Sequence, residues 1–429
     1  MKKFRAMTLV LMLVLLATSA GAFAQDNKVT FMSTQWNTVE ETDKVRTFLS
    51  AFEGGTVEFV PSEEGPLLDL IRAEAEAGEG TVDVIGALHG TYPTLAGEDL
   101  LFDLTDLLAG IEEQYDVNDA FVQLGKMGTE DVQYYIPFMQ ATFIMAATQE
   151  SLQYLPEGAD INNLTWDQFA AWAKAIYDAT GEAKVGLPVA GLFHRFLQGY
   201  MFPSFTGGMV TGFKTPEAVA MFEYLNNLWP YIHPQSITYE FMQEPLLSGE
   251  VWVAFDHVAR LKNAFDQQPD NFVAFPAPSG PAGRGFMSVV AGLAIPYTSP
   301  NPDGAEEFIK YMLSPETQAT ILSETGFYPV IGDVDMTSLP AGVSAMLGAV
   351  QAYGTVETDV PALLPVGLGD RGGEINEIFR NAFQRIVIDG EDIQTVLDEE
   401  GASLQTLLDE TGAACWAPDP VSEGPCQLK

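Results

Sequence analysis

Basic side chains are scarce in this chain: 20 lysines and arginines stand against 59 aspartates and glutamates in 429 residues. A surface so acidic repels phosphate backbones and anionic lipid headgroups, which excludes nucleic acid as a partner. Cysteine is nearly absent, with Cys415 and Cys426 the only two, so neither a cysteine-rich metal site nor a multi-disulfide scaffold can be built. The four histidines, His89, His194, His233 and His257, have no metal-ligand spacing, and no metal or cofactor is expected. There is no G-x-S-x-G nucleophile motif, and the glycine-rich run 367–373 is not followed by the lysine of a phosphate-binding loop. With 59 acids, paired carboxylates arise by chance and do not argue for a glycosidase. Beyond the first 24 residues no apolar run approaches a membrane span.

What is present begins with a leader. Lys2, Lys3 and Arg5 precede the apolar run Met7 to Ala17, and Ala22-Phe23-Ala24 supplies the small residues of a cleavage site. The chain is therefore expected to be exported, with residues 1–24 a signal peptide. No cysteine lies near the cleavage site, so no lipid anchor is expected, and a soluble product needs a periplasm to retain it. Cleavage leaves 405 residues with 17 basic and 59 acidic side chains, a formal charge of −42. In that oxidising compartment the two cysteines are expected to pair and close a proline-rich tail.

Along the mature chain the hydrophobic pattern alternates between strands and helices. Val29–Met32, Thr56–Val60 and Val82–Ile85 read as strands, separated by amphipathic helices carrying Val45, Phe48 and Phe52, then Leu67, Leu68 and Ile71. That order predicts a parallel α/β sheet. Open α/β sheets bind ligands beyond the carboxyl ends of their strands, which singles out Gln35, Trp36 and Asn37, then Glu63 and Glu64, then His89 and Tyr92. Further on, Asp303 and Glu306 form a candidate capping box, Phe308, Ile309 and Met312 bury one helix face, and Ser314-Pro315-Glu316 opens a second helix ended by Gly326.

The stretch Asp303 to Val330, DGAEEFIKYMLSPETQATILSETGFYPV, resembles the A-x-x-F-I-x-x-L-x-S-P-E-x-Q and following G-x-x-P of the family 1 bacterial extracellular solute-binding proteins, the receptors of ABC importers. Tyr135-Ile136-Pro137 resembles that family's first crossing strand, and Thr165-Trp166 its T-W-x-x-[FL] helix start, with Thr165 as cap and Trp166 as core. The resemblance implies a two-domain periplasmic-binding-protein fold of type II. Its domains would run over 25–136 plus 292–334 and over 137–291 plus 335–412, with 413–429 a tail. It also implies a monomer that captures a carbohydrate by hinge closure, without chemistry, and delivers it to the membrane permease. A polyamine is the alternative ligand, and a secreted carbohydrate-active enzyme the alternative class.

Sugar recognition needs aromatic plates beside groups that exchange paired hydrogen bonds. Trp36, Tyr92, Phe193 and Phe205 are the expected plates, and Gln35, Glu64, His89, His194, Arg195, Asp256, His257 and Arg371 the polar partners. Two positions depart from the family pattern: Gly90 stands where the maltose receptor has an acid, and Ala259 or Arg260 stands near the expected tryptophan.

Overall fold

The computed structural model describes residues 27–429, so the expected leader lies outside the described residues. Strand β1 (Lys28–Ser33) is followed by helix α1 (Val39–Leu49), β2 (Thr56–Pro61), α2 (Glu64–Ala77) and β3 (Val84–Leu88). β1 lies between β2 and β3, parallel to both, with Phe31 opposite Phe59 on one side and Val84 on the other. Parallel neighbours require a crossover, and α1 and α2 supply it. Gly86 in β3 has no alternative, because a Cβ there would meet the Phe31 ring at 2.7 Å.

Two more strands, β4 (Ile136–Ala141) and β5 (Phe143–Thr148), carry the chain out of this first sheet. Helix α3 (Trp166–Thr180) follows, then β6 (Val185–Gly186), β7 (Val253–His257), helix α4 (Val258–Gln267) and β8 (Phe272–Phe275). The second sheet has the order β6-β7-β5-β8. Strand β9 (Arg284–Met287) then leads to β10 (Val289–Ala294), which returns to the first sheet and completes the order β2-β1-β3-β10-β4. The two sheets define a two-domain α/β fold. The chain leaves the first sheet at Thr142, between β4 and β5, and re-enters it at Ser288, between β9 and β10. The expected boundaries at 136/137 and 291/292 therefore fall within β4 and β10.

Helices α5 (Pro302–Met312) and α6 (Pro315–Thr325) pack on the first sheet. The expected capping box at Asp303 is corrected by two residues: the cap of α5 is Asn301, whose side chain accepts the Gly304 N–H at 3.1 Å. Asn301 precedes Pro302, which suits the first helical position because its missing N–H would be unsatisfied there anyway. Ser314 caps α6 as expected, and Gly326 ends it at φ 77°. The glutamine of the S-P-E-x-Q stretch is structural: buried Gln318 donates to Phe138 O at 2.6 Å and Met312 O at 2.8 Å and accepts from Val330 N at 3.1 Å.

A third passage to the second domain follows, where α7 (Ala341–Gln351) packs on α4 and β8. Strand β11 (Asp359–Ala362) pairs with β9, and helices α8 (Gly372–Phe383) and α9 (Ile393–Thr411) complete the domain. The tail is closed by the Cys415–Cys426 disulfide. Within that loop, buried Asp419 accepts the N–H groups of Met209, Val210 and Thr211 at 2.7–3.0 Å. Ala417 O accepts Leu363 N–H at 3.0 Å, so the tail supports the segment that enters the cleft.

Candidate functional site

The cleft between the domains holds two adjoining cavities, of about 460 and 200 Å³. The first sheet contributes its carboxyl edge to both: Gln35 and Trp36 after β1, Glu63 and Glu64 after β2, and Leu88, Gly90 and Thr91 at β3. From the second domain come Arg195, on the helical stretch 193–206, and His257 and Arg260 at the junction of β7 and α4. Leu88, Arg195 and Leu364 line both cavities. The smaller one is closed by Gly372, Gly373 and Asn376 at the start of α8.

Of the ten sequence-predicted site residues, Gln35, Trp36, Glu64, Arg195 and His257 line these cavities. His89 is buried between two lining residues, Leu88 and Gly90, with its ring against the Leu364 and Val290 backbone. Burial, reinforced by the charge of Arg195, holds its pKa down at about 4, so the ring is neutral. His257 is also neutral, lowered to about 3 by burial and then by Arg260, and its Nδ1 accepts the Ala259 N–H to cap α4.

Four expected contacts lie elsewhere. The Tyr92 ring stacks on Tyr135 at 4.6 Å, and its hydroxyl accepts from Ala87 N and donates to Gly292 O, which fixes it in the core. His194 is buried with Nδ1 at 3.0 Å from Arg380. Asp256 is buried within β7, where it accepts N–H groups from Met242 and His257, both at 2.7 Å; its burial raises the pKa to about 7. Arg371 turns away into ion pairs with Glu374 and Glu410. The expected plates Phe193 and Phe205 are packed on Phe383 and Tyr224.

Trp36 is corrected in kind. It borders the larger cavity, but it is only 3% exposed and meets Phe48, Phe59, Phe138 and Phe327 edge to face at 5.7–6.4 Å. Its backbone is left-handed at φ 64°, a costly conformation for a tryptophan that the surrounding packing enforces. The departure at Gly90 has a steric cause: a Cβ there would lie 2.8 Å from Pro365 O, so no acid fits.

Sequence reasoning missed Phe143, Phe327 and Arg260 as lining residues. Phe143 follows the crossing at Thr142, and Phe327 precedes Tyr328, whose N–H donates to Gln140 O of β4 at 2.7 Å; a signal for Phe143 was present, because any segment that passes between the domains must border the cleft. Arg260 reaches across from α4 to Glu41 on α1, 3.6 Å away, while lying over the Phe241 ring at 4.5 Å. No group of acidic, histidine or cysteine side chains among the described residues could hold a metal.

Two α/β domains joined by strand crossings around a polar cleft define a two-domain binding protein. The sequence matches the family of bacterial extracellular solute-binding proteins over residues 36–319, and the chain belongs to that family, whose members serve ABC transporters. No curated protein matches. Among solved structures, the maltose-bound MalE3 of T. maritima is 20% identical, covering 89% of this chain and all of its own at a TM-score of 0.70. The sugar-binding protein MalE of Xanthomonas citri, at 16% identity, covers 89% and 98% with a TM-score of 0.70. UgpB of Mycobacterium tuberculosis, solved with glycerophosphocholine, is 18% identical over 89% and 98%, at 0.68.

Proposed function

We propose that the protein is the periplasmic receptor of a carbohydrate ABC importer, a monomer that closes its two domains on a sugar and presents it to the membrane permease. The reading rests chiefly on one observation: the three loops beyond β1, β2 and β3 face Arg195, His257 and Arg260 of the other domain across one polar cleft. The maltose held by the T. maritima relative supports a sugar, and export through the amino-terminal leader supports a periplasmic location. Arg195 and Arg260 on the far wall disfavour a polyamine. Capture and release require no catalysis, and the protein is not an enzyme on this reading.

Thermal unfolding of the mature protein against sugars, polyamines and amino acids tests it. A ligand at 100 times its dissociation constant adds about 2.7 kcal/mol of stability. A rise in midpoint with one group of sugars is expected; a rise with polyamines alone would overturn the carbohydrate assignment.

A further inference from the structure

After Gly412, which ends α9 at φ 71°, residues 413–429 fold back on themselves. The Cys415–Cys426 bond closes the loop, Cys426 N–H donates to Ala413 O at 2.7 Å, and Cys415 N–H donates to Ser422 Oγ at 2.9 Å. A loop closed in this way has few alternative conformations, so its outward contacts need little further ordering. One side of it is tied to the body of the second domain. Gln405 of α9 donates to Cys426 O and accepts from Leu428 N–H, both at 3.0 Å. Asp419, 3% exposed, directs both carboxylate oxygens at the turn after the helical stretch 193–206: Oδ2 accepts from Met209 and Val210 N–H, Oδ1 from the Thr211 N–H and hydroxyl. A carboxylate is tolerated in the interior only where such donors surround it, which gives Asp419 one stable position.

The other side of the loop faces the cleft wall. Ala417 O accepts the Leu363 N–H at 3.0 Å, and Ala413 lies 3.4–3.5 Å from where a Cβ on Gly367 would stand. The stretch 363–368 follows the end of β11 at Ala362 and precedes the helical turn that begins at Gly369, so it has no ladder or helix of its own. Among the described residues, the bond from Leu363 to Ala417 is the one backbone–backbone hydrogen bond that joins it to a distant part of the chain. Yet Leu364 lines both cavities, and Pro365 and Leu368 line the smaller one. The same stretch meets the first domain: the Leu364 backbone lies against the His89 ring, and Pro365 O occupies the space that a Cβ on Gly90 would need. A wall that touches both the cavities and the opposite domain is thus held from behind by the tail.

We infer that the disulfide-closed tail positions this wall, with Asp419 as its anchor, and thereby sets the affinity of the cleft. This rests on the proposed role of the cleft as the ligand site, whichever sugar it takes. Freed from the tail, residues 363–368 would sample other positions and binding would have to order them, which lowers affinity without altering a group that touches the ligand. Asp419, Cys415 and Cys426 border neither cavity, so replacing them leaves the ligand's own contacts in place.

Hydrogen exchange read by mass spectrometry, with calorimetric titration of maltose, trehalose and glucose, tests this on the unaltered mature protein, on Asp419→Asn, and on Cys415→Ser combined with Cys426→Ser. Asparagine keeps the shape of Asp419 but turns one acceptor into a donor facing N–H groups. In both variants the peptides covering 360–371 should exchange about 10-fold faster, while those of α3, in the same domain, stay within about 2-fold. A sugar that the unaltered protein takes up should bind about 5- to 30-fold more weakly to either variant, at a temperature where both remain folded. Should either fail to fold, Ser422→Ala, which removes only the acceptor of the Cys415 N–H, should show the same pattern at about 2- to 3-fold. Unaltered exchange over 360–371, exchange quickened equally in α3, or unaltered affinity despite quickened exchange each overturns the inference and leaves the carbohydrate reading standing. If none of the three sugars binds the unaltered protein, that result counts against the carbohydrate reading, and the exchange pattern still decides whether the tail positions the wall.

Discussion

Trp36 and His89 sit at the ends of neighbouring strands and meet opposite fates. The tryptophan is enclosed by four aromatic rings, so its truncation removes core packing in addition to any ligand contact. Trp36→Ala should cost about 3–5 kcal/mol in denaturant unfolding; an unchanged midpoint would place the side chain outside the core. His89 carries a pH dependence. Its folded pKa of about 4 lies below the unfolded value of about 6.5, so the unfolded chain binds more protons between those limits and stability falls as pH drops from 6.5 to 4. The contribution is of order 3 kcal/mol. His89→Leu should remove that part of the slope while changing little at pH 7.5, and an identical slope would refute the assignment. Composition and position marked both residues as candidates, but an aromatic side chain at a strand end serves equally as plate or core. What separates the two roles is the set of distant partners, and these lie up to 291 residues away, as Phe327 does from Trp36.

Among the elements, the α5–α6 pair shows how far local pattern reaches. Ser314, Pro315 and Gly326 act as their chemistry dictates, because caps and terminators are decided within one helical turn. The cap of α5 was misassigned because Asn301 and Asp303 satisfy the same local rule, and only the position of Pro302 distinguishes them. Gln318 was legible as a motif position but not as a clamp, since its partners come from β4 and from the segment after the helix. Ser314→Ala should cost about 1 kcal/mol. Gln318→Leu, which leaves two carbonyls and one N–H unpaired in the interior, should cost about 3 kcal/mol. Comparable midpoints for the two variants would contradict the clamp. At the start of α8 the glycines do border the cleft, but Arg371, the visible charge beside them, is taken by Glu374 and Glu410.

At the scale of the molecule, the question is what holds the domains together. The Arg260–Glu41 pair spans the cleft, but with the two side chains 32% and 23% exposed it is worth no more than about 1 kcal/mol. The crossings are firmer. Thr142 donates to Met287 O at 2.9 Å, and the Tyr200 and Tyr353 hydroxyls donate to Phe143 O at 3.0 and 2.9 Å, which fixes the strands about which the domains can turn. On the proposed reading, a hinge held at its axis, with the Arg260–Glu41 pair a weak latch at its rim, leaves closure to be driven by the ligand. The parallel sheet was readable from strand and helix spacing and the two-domain plan from the family resemblance, whereas the pairing of residues across the cleft was not, because it depends on how two separately encoded surfaces meet.

Small-angle X-ray scattering of the mature protein, with and without a sugar that raises its unfolding midpoint, addresses capture between the domains most directly. A compact particle of 405 residues has a radius of gyration of about 21–22 Å. We expect the free protein to lie above that value and the saturated protein to contract towards it. A radius that does not change at saturation would contradict capture by domain closure.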